Sequence, residues 1–405
     1  STSTPYNTAR MVASAAADEN LLAASSAAED ADDDALVFRV SPKQRRMLLA
    51  SSDDEFQSTF PDFVRDVKRA FDDEGVVVMR GLLDDDLLDR LDADSRLIFE
   101  GNTATTAKTF TSMKFGPAFS DTALREAALR SGIPRLVAAV LLDMGVGGGE
   151  GGKRGGGPTT SLHLLKDAFL AKGGEKACCG WHVDDAGFWP TSARSIPGVN
   201  AWIAIDDIPA TCGGGLAVSP RSHRASWRQR AYEVVGSTRL DPEEGRAEMG
   251  PFVTCNMEEN DPELASAIDG TRKVFDFQRG DVLIHTRWLF HRSMPLTSEG
   301  KERFRRLGEE PTLRRYSVRY ERADSRLLRG MNFEFAALLN PENKGRTLAE
   351  VNEAEGPFYP RCWPEVLSDE ELERMDRLVA EKFPLAEAKR KEIIASMMRG
   401  GSMTK

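Results

Sequence analysis

Apolar positions along this chain change period several times, and each change marks an element. Phe60, Phe63, Val64, Val67 and Phe71 recur at three- and four-residue steps, which predicts a helix burying one face. After Asp72-Asp73-Glu74-Gly75 comes an unbroken apolar run, Val76-Val77-Val78-Met79, the pattern of a short buried strand. Leu87, Leu88, Leu91 and Ile98 return to helical spacing behind Asp84, Asp85 and Asp86, acids that suit a helix N-terminus. Strand-like runs then predominate, at 163–171, 199–205, 216–219, 274–277, 282–285 and 314–320, punctuated by Gly, Pro and Asp. Many short strands without alternating helices predict an antiparallel sandwich or jelly roll. Beyond Gly330 the spacing turns helical again. There Ser368-Asp369-Glu370-Glu371 is a capping box for a helix carrying Leu372, Met375, Leu378 and Val379, and residues 397–405 should fray.

Composition sets the outer limits of this picture. Residues up to about 34 are rich in Ala, Ser and Asp and nearly free of aromatics, too poor in apolar surface to offset their ordering entropy. The expected organisation is a disordered acidic tail over 1–40, helices plus a β-rich domain over 41–330, and a helical extension over 331–405. Residues 145–158 are glycine-rich and contain Lys153 and Arg154. No Ser or Thr follows the lysine and no strand leads in, so a flexible insertion is expected rather than a phosphate loop. No internal repeat is visible.

Charge and cysteine usage exclude some classes of function. A net charge of −10 argues against general nucleic-acid affinity. The five cysteines (Cys178, Cys179, Cys212, Cys255, Cys362) form no CxxC pair, so neither a disulfide framework nor a Cys-rich zinc site is expected. A reducing compartment, by default the cytoplasm, follows. An organellar address stays open, because a chain beginning at Ser1 can have lost a leader. No apolar run approaches the roughly 18 residues of a membrane span. A small-molecule substrate is the expected partner.

The stretch Gly180-Trp181-His182-Val183-Asp184-Asp185 carries the candidate chemistry. On an extended segment His182 and Asp184 point to one face and Asp185 to the other. One short segment can thus supply two neighbouring metal ligands. A second histidine would complete the set, either His285 or His291, about a hundred residues on. Two His and one carboxylate on a β scaffold form the facial triad of non-haem Fe(II) oxygenases. Other motifs follow in order: Asn200-Ala201-Trp202, Cys212-Gly213-Gly214-Gly215, Pro220-Arg221-Ser222-His223-Arg224, Gly280-Asp281, His291-Arg292-Ser293, and Arg314-Arg315-Tyr316-Ser317-Val318-Arg319-Tyr320.

Taken in that order, these motifs resemble the phytanoyl-CoA dioxygenase family of Fe(II)/2-oxoglutarate oxygenases, over residues 60–324. The resemblance implies a mainly β protein with flanking helices, a double-stranded β-helix (jelly roll, cupin-like). It also implies Fe(II) on His182, Asp184 and His291, with 2-oxoglutarate as cosubstrate and ascorbate as a reductant. His291 is preferred over His285 because Ser293 and Pro295 follow it as in the family. Trp202 and Ser293 match positions that touch the cosubstrate there. Its distal carboxylate is expected on an arginine of the last core strand, whose fork suits it better than lysine. Arg315 and Arg319 share the face of Ser317 and Arg314 does not. Arg315 is preferred. The implied reaction is hydroxylation of a small organic substrate; halogenation is disfavoured because Asp184 is present. The alternatives are a non-catalytic binding protein retaining the β-helix and a zinc-dependent hydrolase.

His223 is expected to structure its loop, His163 has no evident partner, and Cys178 and Cys179 are expected to pack inertly. Residues 297–310 form a charged loop, rich in Arg and Glu and longer than is usual in the family, expected to be a solvated face rather than a substrate lid.

Overall fold

The structure is a computed structural model describing residues 35–101, 112–120, 122–142, 144, 161–173, 180–184, 189–192, 198–224, 238–241, 246–249, 257, 261–307, 312–328, 334–365 and 367–400. The described strands are β1 (Val37–Arg39), β2 (Val76–Arg80), β3 (Ser112–Phe115), β4 (Leu162–Gly173), β5 (Thr191–Ser192), β6 (Val199–Ala204), β7 (Leu216–Val218), β8 (Thr238–Asp241) and β9 (Arg246–Met249). Then come β10 (Lys273–Val274), β11 (Val282–Thr286), β12 (His291–Ser293), β13 (Thr312–Arg322), β14 (Arg326–Leu327) and β15 (Arg361–Trp363). The large sheet runs β1-β2-β11-β6-β13-β4-β15, with β3 added against β4. Its neighbours are antiparallel except β1 and β2. The small sheet is β10-β7-β12.

Alternation along the strands divides the large sheet into two faces. Val77, Met79, Val199, Ala201, Ile203, Val282, Ile284, Tyr316, Val318 and Tyr320 pack outward, in one core with residues of the helices Pro61–Glu74, Asp85–Gly101 and Thr122–Leu129. Their neighbours Val76, Val78, Trp202, Ala204, Leu283 and Leu313 pack inward and meet Leu216 and Val218 of the small sheet. Each fully buried Val, Leu or Ile contributes on the order of 1.5–3 kcal/mol. A one-residue slip would exchange the two faces, so the register is strongly held. The result is a curled half-barrel with flanking helices, the double-stranded β-helix that the motifs imply.

Several elements differ from expectation. The sheet starts before residue 41: Val37 pairs with Val78, and Leu36 is buried in the inner core. Three residues are too few to reveal a strand by periodicity. The run 274–277 is mostly not strand; only Lys273–Val274 pairs with β7, while Phe277 bridges Ile208. The C-terminal region is not purely helical, because β15 joins the large sheet beside β4. The last helix, Asp369–Gly400, continues past residue 397. Most of the expected charged loop is a helix, Ser298–Leu307, with the Gly300 N–H on Thr297 Oγ1 at 3.1 Å. Phe304 anchors it to the inner core, while Arg305 and Arg306 pair with Glu302 on the helix surface. So sparse an apolar face hides a helix from a periodicity argument. The tail over 1–34, the glycine-rich segment 145–158, Asp185, Cys178 and Cys179 lie outside the described residues.

Candidate metal centre

Backbone pairing brings the two parts of the site together. The His182 N–H donates to the His291 carbonyl at 3.0 Å and the His291 N–H returns to the His182 carbonyl at 2.9 Å. That single bridge lays segment 180–184 beside β12 at the edge of the small sheet. The imidazoles of His182 and His291 stand 4.4 Å apart between ring centroids. One donor atom from each of His182, Asp184 and His291 lies within 4.8 Å of the others. Asp184 Oδ1 is 3.6 Å from His291 Nε2 and 4.0 Å from His182 Nε2.

Hydrogen bonds behind the rings decide which nitrogens face the centre. His182 Nδ1 is 2.8 Å from the Gly180 carbonyl, and His291 Nδ1 is 3.0 Å from the Leu289 carbonyl. A carbonyl only accepts, so both Nδ1 atoms carry a proton, and the Nε2 atoms are the ones left to offer a lone pair to a metal. Two imidazoles with Nε2 turned to the centre plus one carboxylate, all at least mostly buried, fit a divalent iron and leave coordination positions for other ligands.

Asp184 is held from its other side. Arg319 Nε and Nη2 both donate to Asp184 Oδ2, at 3.0 and 2.7 Å. Burial pushes the Asp184 carboxyl up, but the Arg319 guanidinium beside it holds it well below the usual carboxylate range.

His285 is close to this centre but turned away from it. Its ring centroid is 4.9 Å from that of His291. Its Nδ1–H donates to the Thr286 carbonyl at 2.8 Å, so Nε2 accepts from Asn200 Nδ2 at 2.9 Å. Asn200 Oδ1 in turn accepts from Ser317 Oγ at 2.8 Å. Both ring nitrogens are therefore committed, and burial, with His291 adding, pushes the imidazole pKa down to about 3.

The expected cosubstrate residues line the same inner face. Arg315 is 1% exposed, donates from Nη1 to the Gly214 carbonyl at 2.9 Å, and has its guanidinium carbon 5.9 Å from the Trp202 ring centre. Gly214 has φ +79°, and a Cβ there would stand 2.3 Å from Leu313 Cδ1, so only glycine fits. Trp202 also packs against Phe277, and Ser293 pairs with Leu216 in the small sheet. Farther along the inner face, Glu321 accepts from Thr191 Oγ1 at 2.8 Å and lies 3.5 Å from Arg287. Arg287 is sandwiched between Trp189 and Trp288, 5.0 and 4.6 Å from their ring centres.

Sequence reasoning gave no role to Asn200 or Gly214, which it met only inside motifs, and did not single out Arg287, Thr191 or Glu321. Alternation would have found two of them: Asn200 is two residues from Trp202, and Glu321 two from Arg319. The remaining histidines are structural. His163 Nδ1–H donates to the Tyr359 carbonyl at 2.6 Å and Nε2 accepts from Ser161 at 2.8 Å, joining β4 to the C-terminal region. His223 packs over Gly75 and supports its loop, as expected. A cavity of about 270 Å³ near His163, Asn352 and Arg361 is lined by none of the triad.

No curated protein matches this chain in sequence. Among solved structures, it is similar to the non-heme alpha-ketoglutarate-dependent carbocyclase SnoK from nogalamycin biosynthesis, at 18% identity and a TM-score of 0.49 over 72% of this chain and 94% of that one. It is also similar to EctD from S. alaskensis, a structure holding 2-oxoglutarate and 5-hydroxyectoine, at 16% identity and a TM-score of 0.42 over 64% and 76% of the two chains. The epimerase SnoN, in complex with Fe3+, alpha-ketoglutarate and nogalamycin RO, aligns at 17% identity and 0.43 over 66% and 87%. The family model for phytanoyl-CoA dioxygenase (PhyH) matches residues 71–306, well over half of the sequence and a span that includes the whole triad, so the chain belongs to the phytanoyl-CoA dioxygenase family.

Proposed function

We propose that this protein is an Fe(II)- and 2-oxoglutarate-dependent dioxygenase that hydroxylates a small organic substrate. The observation that carries the reading is the convergence of His182, Asp184 and His291, with both Nε2 lone pairs presented inward by backbone-held Nδ1 protons. When bound there, iron would activate dioxygen using electrons from decarboxylation of 2-oxoglutarate to succinate. The chain's own residues bind and orient. His182, Asp184 and His291 hold the metal, and Arg315 takes the distal carboxylate of the cosubstrate through a charge-assisted contact. Trp202 and Ser293 flank that carboxylate and keep water from it. Ascorbate serves as an external reductant.

Arg315, buried on the inner face beside Trp202, supports this reading over a zinc hydrolase or a non-catalytic β-helix, because it offers a guanidinium to the far carboxylate of a dicarboxylate cosubstrate. The test is anaerobic titration of the Fe(II)-loaded protein with 2-oxoglutarate, followed by aerobic succinate release across a panel of small metabolites. A visible charge-transfer band and substrate-stimulated succinate are expected. A protein that binds Fe(II) but never responds to 2-oxoglutarate would overturn the assignment.

A further inference from the structure

We infer that Arg319 is a positioning residue for the metal carboxylate: it holds Asp184 by Oδ2, so that Oδ1 alone faces the metal. This inference rests on the metal site proposed above and adds a role for a residue that a sequence reading groups with the cosubstrate arginines. Three observations meet on it. Two of the Arg319 nitrogens, Nε and Nη2, donate to the same oxygen, Oδ2, at 3.0 and 2.7 Å. The other oxygen, Oδ1, is the one lying 3.6 and 4.0 Å from the two imidazole Nε2 atoms. Both side chains are almost wholly shut off from solvent, so no water competes for Oδ2.

The physical consequence is a division of labour within one carboxylate. A free carboxylate can bind a metal through one oxygen or through both. A guanidinium donating twice to Oδ2 fixes the side-chain torsion and occupies the oxygen that a second metal bond would need. Asp184 is thereby a one-oxygen ligand, and one more coordination position stays available for the cosubstrate. Arg319 also keeps the buried carboxylate charged and compensated before any metal arrives.

The test uses the full-length protein and Co(II), whose visible d–d bands report coordination without turnover. In Arg319→Met the Co(II) Kd should rise about 10- to 100-fold, the usual loss when an outer hydrogen-bond partner of a ligand is removed. The d–d bands should shift as Oδ2 is released. Arg319→Lys, which keeps charge and one donor, should recover part of both signals, and it carries the test if the methionine variant does not fold by circular dichroism. At saturating Co(II), 2-oxoglutarate Kd should stay within about threefold of wild type in Arg319→Lys. Wild-type Co(II) affinity and bands in both variants would overturn the inference. So would unchanged Co(II) binding with a 2-oxoglutarate Kd raised more than tenfold, which would make Arg319 a cosubstrate ligand. A wild-type protein that takes up no Co(II) would instead defeat the metal site itself, so the two failures are distinct.

Discussion

Replacing Arg315 by lysine should weaken 2-oxoglutarate binding about ten- to a hundredfold while leaving metal affinity nearly unchanged. The magnitude follows from what the side chain does. Arg315 is 1% exposed, and one of its nitrogens already donates to the Gly214 carbonyl at 2.9 Å. A guanidinium can hold that carbonyl with one nitrogen and a carboxylate with its others, because its five N–H groups lie in a fixed fork. A lysine has one ammonium, which must divide itself between the same two acceptors. One charge-assisted hydrogen bond contributes about 1.5–3 kcal/mol, and each 1.4 kcal/mol is a factor of ten. The assay is anaerobic 2-oxoglutarate titration at saturating Co(II) or Fe(II), read by visible absorption. An unchanged Kd in Arg315→Lys would refute the assignment, and the Arg319 variants would then be the place to look for the lost affinity.

Other outcomes follow from the same geometry. His291→Ala should abolish Fe(II) binding and turnover, whereas His285→Ala should retain metal binding, since both His285 nitrogens are already engaged; metal titration by calorimetry separates them. His163 is pushed by burial down to about 4, from an ordinary value near 6.5, so it is neutral in the folded chain and must give up that environment to take a proton. The stability it lends is complete above about pH 6.5 and is lost as pH falls towards 4, roughly 3 kcal/mol in all. Urea unfolding between pH 7 and 4 should therefore show a shallower decline for His163→Gln than for wild type. Cutting the chain after residue 40 should lower Tm by several degrees relative to a cut after residue 34, because it removes β1 with buried Leu36 and Val40. Equal midpoints for the two truncations would show that β1 adds nothing.

How much of this was legible in the chain depends on how many residues each feature needs. Strands β4, β6, β7, β11 and β13 are long enough, or apolar enough, to declare themselves within a few residues of their observed limits. β1 and β15 have three residues each and owe their place to partners far away in sequence, so no local pattern reveals them. The helix Ser298–Leu307 shows only a charged surface and one inward aromatic, Phe304. At the site, the two-residue spacing of His182 and Asp184 was informative because alternation survives even where the segment pairs at a single bridge. The identity of the second histidine was not local information. His285 and His291 differ by which hydrogen-bonding groups surround the ring, and those groups, the Asn200 amide and the Thr286 and Leu289 carbonyls, are placed by the sheet.

The three candidate arginines of β13, Arg314, Arg315 and Arg319, show the same division between parity, which sequence can supply, and partnership, which it cannot. Parity separates Arg314 from the others. On the outer face, its Nη1 donates to Ser95 Oγ at 2.9 Å and its Nη2 reaches Asp92 at 2.6 Å, tying the helix Asp85–Gly101 to the sheet. Arg315 and Arg319 share the inner face, and at about 3.3 Å per residue their Cα atoms are roughly 13 Å apart along the strand. The register irregularity next to Arg319 does not disturb this, because the extra residue, Leu165, lies in β4. One small dicarboxylate chelating a metal beside Asp184 would meet one arginine with its far end, and not both. Were that arginine Arg319, the incoming carboxylate would have to displace Asp184 Oδ2 from Nε and Nη2. It would exchange two charge-assisted hydrogen bonds for two others and leave the displaced oxygen buried without its counter-charge. No net attraction comes from such an exchange. Arg315 offers the proposed cosubstrate a positive charge whose use does not unseat Asp184, and that asymmetry, rather than distance along the sequence, is what supports the separate roles proposed for the two residues.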